Sequence, residues 1–208
     1  ITDTGALAIT GTTTLVTSAD DATITLNTAT NAFAGAMTIT TNDSSGNDAD
    51  VTIDGGTTVL SINTSTIDGD LILTTGNATG IADTGTVTIG GNLSATTDAN
   101  DGDIILNQLA VDGTVALTTN GTGAVTIVND AGLSFATSTV GGTIGATATT
   151  GDITDAGILT ITGDAIFITS ATGSNIILDT SSNAFSNSVE IRADDGTEAF
   201  GNITFVDS

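Results

Sequence analysis

The pentapeptide Ile1-Thr2-Asp3-Thr4-Gly5 returns as Ile81-Ala82-Asp83-Thr84-Gly85 and again as Ile153-Thr154-Asp155-Ala156-Gly157, at offsets of 80 and 152 residues. From these anchors the similarity spreads outward. Residues 1–39 align without a gap on 153–191, with 18 identities that include Leu7/Leu159, Ile9/Ile161, Gly11/Gly163, Ile24/Ile176 and Leu26/Leu178. The triplet Asn31-Ala32-Phe33 is restated as Asn183-Ala184-Phe185. The copy at 81 keeps Ile89, Gly91, Ile104, Leu106 and Asn107 in step with Ile9, Gly11, Ile24, Leu26 and Asn27, then drifts. A motif restated at long offsets is the mark of a repeat architecture, in which successive units meet nearly the same surroundings.

Within the long repeat runs a shorter one, of apolar residues spaced two apart. Leu7/Ile9, Ile24/Leu26, Met37/Ile39, Val51/Ile53, Leu71/Leu73, Val87/Ile89, Ile104/Leu106, Val125/Ile127, Leu159/Ile161, Ile166/Ile168 and Ile176/Leu178 are examples. A spacing of two places both side chains on one face of a strand and turns the intervening Thr, Ser or Asp to the other. Steps such as Asp54-Gly55-Gly56, Asp68-Gly69-Asp70 and Gly141-Gly142 separate the pairs and bend the chain. A sandwich gives every strand a different neighbourhood, whereas a coiled chain repeats one environment. The reading is therefore all-β, a parallel β-helix or β-solenoid. Two pairs per coil give about ten coils of roughly 20–22 residues, and the preference for right-handed crossovers gives its hand. The organisation expected is one solenoid segment, 1–208, with long repeats starting near 1, 81 and 153, belonging to a longer chain.

Composition agrees. With 26 Gly, 6 Phe, and no Pro, Cys, Trp or Tyr, the chain lacks the bulky side chains that fill a wide core but suits a narrow one built from Ile, Leu, Val and Ala. Its 24 Asp+Glu face a single cation, Arg192, and the formal net charge is -23. Such a surface repels phosphate backbones and anionic lipid, and no apolar run nears the roughly 18 residues a membrane span needs, so neither nucleic acid nor a membrane span is expected.

The phrases Ile1 to Gly11, Ile24-Thr25-Leu26-Asn27 and Asn31-Ala32-Phe33 resemble the β-strand repeats of giant filamentous-haemagglutinin-like bacterial exoproteins. The likeness is strongest at 1–39, 81–107 and 153–191. It implies a right-handed parallel β-helix, export to the cell surface or medium, and a structural or adhesive role toward cell-surface or matrix components, with self-association into filaments.

Carboxylates are the chemistry-bearing groups. A carbohydrate-acting enzyme would set two of them across a groove, and Asp20-Asp21, Asp98, Asp101, Asp103, Asp152, Asp155 and Asp194-Asp195 are available. The lack of His and Lys removes the usual bases and positive groups, and no catalytic or cofactor-binding residue is assigned. Asp98, Asp101 and Asp103, in Asp98-Ala99-Asn100-Asp101-Gly102-Asp103, are the weak metal candidates. Gly102 falls one place early for a helix-loop-helix calcium loop, which leaves weak Ca2+ binding by turn carboxylates as the expectation. Thr-x-Thr triplets, as at Thr12/Thr14 and Thr86/Thr88, recur without the regularity an ice- or mineral-binding plane needs. Asn-x-Ser/Thr sequons start at Asn42, Asn63, Asn77, Asn92, Asn120 and Asn202, as a Ser- and Thr-rich chain gives by chance. Arg192 is expected to pair with Glu190 or with a turn Asp.

Overall fold

The computed structural model describes residues 1–42, 44, 46, 48–193 and 200–208. Asp194 and Asp195 lie outside them. All described elements are β, and every strand pairing is parallel. The chain winds into a β-solenoid of about eight turns.

The front sheet runs Ile24–Leu26, Val51–Asp54, Leu71–Thr75, Leu93–Thr97, Thr114–Thr119, Leu133–Phe135, Ile153–Asp155, Ile176–Leu178, Ile203–Phe205. Ser138–Val140, Leu159–Ile161 and Ala184–Phe185 join the front sheet, Ala8–Ile9 pairs with Ala32–Phe33, and the back sheet holds the remaining strands, from Thr13–Val16 and Met37–Thr40 to Ala165–Thr169 and Val189–Ala193. The count falls slightly below the expected ten, because coil length varies. Ile24 pairs with Val51, and Ile176 with Ile203, at steps of 27 residues.

Most coils have one straight side and one bent side. A straight side is a single strand such as Leu93–Thr97 or Ala165–Thr169. A bent side is two short limbs with a corner between them, such as Ile153–Asp155 with Leu159–Ile161, or Ile81–Asp83 with Val87–Ile89. The repeated Ile-x-Asp-x-Gly phrase is the corner of a bent side. Straight and bent sides alternate along the chain except at two places. Met37–Thr40 is followed by a second straight strand, Val51–Asp54, and Thr114–Thr119 by Val125–Asn129. Each doubling moves the bent side to the opposite face. In 1–40 and from 125 onward the bends lie on the front; between the doublings they lie on the back, as the pairing of Leu60–Ile62 with Ile81–Asp83 and of Ser65–Ile67 with Val87–Ile89 records.

The interior is a stack of like on like, as parallel in-register pairing dictates. Ile24, Val51, Ile53, Leu71, Leu73, Leu93, Val115 and Leu117 are buried on the front. Phe135, Phe167 and Phe185 meet edge to face, at ring separations of 6.0 and 6.1 Å, a favoured arrangement for aromatic pairs. One expected pair is corrected. Ile166 and Ile168 are only half-buried and point outward, because Ala165, Phe167 and Thr169 take the inward positions of that strand. Thr also occupies the core. Thr75, Thr97 and Thr119 stack in register at the end of the straight side, each buried; the hydroxyls of Thr97 and Thr119 donate across the turn to Gly102 O and Gly123 O, and that of Thr75 donates to Thr58 O of the preceding coil. A buried hydroxyl is tolerable there because its hydrogen bond is made.

Candidate functional site

The carboxylates do not gather around a groove. They stitch each coil to the next. At the bent corner, Asp155 accepts from Asp179 N at 3.0 Å, Thr180 N at 3.3 Å and the Asn183 amide, all one coil on. Asn183 is fully buried, and its Oδ1 takes Leu159 N at 2.8 Å. The first copy repeats the device: Asp3 accepts from Thr28 N at 3.2 Å and Asn31 Nδ2 at 2.7 Å, and Asn31 Oδ1 takes Leu7 N at 2.8 Å. The Asn31 amide holds the Asp3 carboxyl below its ordinary value; burial works against it and the Thr28 N–H with it. In the copy on the back face Asp83 keeps only the backbone bond, from Gln108 N at 2.7 Å, because Val111 stands where the other copies have Asn.

A second set of ladders runs along the other corners. Asp50 accepts from Asp70 N, Asp70 from Asn92 N, and Asn92 from Thr114 N. Asp152 accepts from Asn175 N, and Asn175 from Asn202 N. In this second set, and at Asp3 and Asp155, the acceptor lies in the earlier coil and the donor in the later; Asn31 and Asn183 also bond in the opposite sense, as does Asp207, which accepts from Phe185 N at 2.9 Å.

Asp101 and Asp103 join the same pattern, accepting from Thr122 N at 2.9 Å and Ala124 N at 2.8 Å. Asp98 is exposed beside them. Among the described residues, no three His, Cys, Asp or Glu side chains converge as metal ligands. Asp101 instead supports a left-handed turn at φ 55°, which Asp21 (57°) and Gly173 (73°) adopt at the matching positions. Shallow notches of about 270 and 260 Å3 lie where the bend changes face, one edged by Asp112 and Asp152, the other by Asp130. Arg192 pairs with Glu190 on the surface, which raises the pKa of its guanidinium further.

Outward threonines form one long column, Thr74, Thr96, Thr118, Thr139 and Thr160, by strand register. The neighbouring column reads Ile72, Ser94 and Ala116, so no Thr-x-Thr plane results. No helix among the described residues is long and apolar enough to cross a membrane.

The buried Asn and Thr are what sequence reasoning missed. Asn31 and Asn183 were visible as a repeated triplet, and their coupling to Asp3 and Asp155 could have been read from the constant spacing of 28 residues.

Compared with known proteins, residues 1–40 and 122–192, more than half of the chain, match a family described as repeats of unknown function, DUF5649. The chain belongs to that family. No curated protein and no solved structure shows significant similarity to it. The matched segments coincide with the stretches whose bends lie on the front, and the intervening 41–121 is the block turned over. At the offset of 152, the DUF5649 segment 1–40 is equivalent to 153–192, the later part of the second match.

Proposed function

We propose that this DUF5649 chain is a structural segment, a rigid acidic rod displayed outside the cell, which extends an adhesive element or builds a surface or matrix filament. The observation that carries this reading is the stitch from coil to coil. Carboxylates of the kind a hydrolase would use, Asp152, Asp155, Asp101 and Asp103, accept backbone N–H groups of the next coil. Their chemistry is spent on holding coils in register, which suits a load-bearing rod. The resemblance to filamentous-haemagglutinin-like repeats supports placing it at the cell surface.

Immunogold electron microscopy on intact cells that make the protein tests the reading. Label on surface filaments or surrounding matrix is the expected result, and label confined to the cytoplasm would overturn it. Incubation with a panel of polysaccharides should release no new reducing ends; release would favour a carbohydrate-acting enzyme.

A further inference from the structure

Eight turns at the inter-strand spacing of about 4.8 Å make a rod of roughly 38 Å. The chain carries a formal charge of -23, so along the axis there is one negative charge per roughly 1.7 Å, the linear density of double-stranded DNA. In water two unit charges interact with the thermal energy at about 7 Å, several times that spacing. Positive side chains do not relieve the repulsion, since the one cation, Arg192, is already paired with Glu190. The charge is also on the outside: of the described carboxylate residues, Asp83 alone is buried, and Asp20, Asp21, Asp98, Asp101, Asp112, Asp130, Asp164 and Asp179 are exposed.

We propose that the rod behaves as a protein polyanion that gathers a counterion atmosphere and binds Lys- and Arg-rich polypeptide segments by releasing it. No single Asp is a site. A polycation lying along the rod sets several condensed cations free, and affinity comes from the number of charges paired rather than from a local constellation. The inference rests on charge and coil spacing, and stands apart from the adhesive reading.

The test is calorimetric titration of the folded chain with octalysine and dodecalysine over a series of NaCl concentrations, with circular dichroism confirming the fold at each. The expected result is a linear fall of log K with log salt, with a slope of about -0.7 to -0.9 for every lysine neutralised, steeper for the longer peptide. Mg2+ and Ca2+ should compete equally, and Asp130→Asn or Asp164→Asn should each weaken binding by less than about threefold. A slope that ignores peptide length, competition by Ca2+ alone, or abolition by one substitution would each overturn the proposal in favour of a local site.

Discussion

Asn183 lies one coil beyond Asp155, donates its amide to that carboxylate, and accepts the Leu159 N–H at 2.8 Å. Its removal leaves a buried N–H and a carboxylate short of a partner, each of which costs stability. Asn183→Ala should lower the unfolding free energy by about 2–4 kcal/mol in urea melts. Asn187→Ala, at an exposed residue whose amide donates to Thr162 O, should change it by less than about 0.5 kcal/mol. Equal effects would show that the corner asparagine is not a stitch.

Corners from a bent to a straight side carry glycine for want of room. Gly91 donates to Gly69 O at 3.1 Å, Gly113 to Gly91 O at 3.0 Å, and a Cβ on Gly91 would sit 2.8 Å from the Gly69 backbone. Gly91→Ala should therefore destabilise by about 1–3 kcal/mol, as overpacking does. Gly145, where a Cβ meets nothing within 4 Å, should accept Ala with no loss and a small gain. The same melts decide it, and an unaffected Gly91→Ala would refute the close-approach argument.

Gly173 is limited by backbone conformation and not by space: its φ is 73° and nothing lies near its missing Cβ. Asp21 and Asp101 hold the equivalent turns in the other copies. Gly173→Asp should cost about 1 kcal/mol or less and Gly173→Val clearly more, since only short polar side chains enter this region readily. Identical thermal midpoints for the two variants would contradict this.

Asp3 titrates below the ordinary range because of Asn31. A folded pKa lower than the unfolded one adds stability that is present above the unfolded value, about 3.9, and is lost as pH falls through the folded value. In Asn31→Ala, carbon NMR of the Asp3 carboxyl should show its midpoint moved upward toward that of a free aspartate. An unmoved midpoint would assign the shift to the Thr28 N–H.

Much of this fold could be read from the residues alone. The restated Ile-x-Asp-x-Gly motifs announced a solenoid and the paired apolar positions announced its strands, though not that the phrase forms the bent corner. What stayed hidden was non-local. The motif at 81 matches those at 1 and 153, yet it sits on the back, because its face depends on how many straight sides precede it and not on its own residues. Ile166 and Ile168 were read on the wrong side of their strand, and the inward Thr97 was not foreseen, for a similar reason. A hydroxyl can face inward where Gly102 O awaits it, and Phe167 claims the core that Ile166 and Ile168 were expected to fill. The carboxylates were expected at turns, yet Asp54, Asp83 and Asp155 end strands, and the bonds that Asp155 makes to the next coil emerge only when coils are stacked.

The doubled straight sides bear on how such a gene can grow. Unequal recombination between copies 152 residues apart would insert seven coils and return each later residue to the face it had. A crossover between copies 80 apart would insert three and a half, and everything downstream would be presented to the other side. Lengthening by the first route is silent to any partner that reads one face; lengthening by the second exchanges what that partner sees.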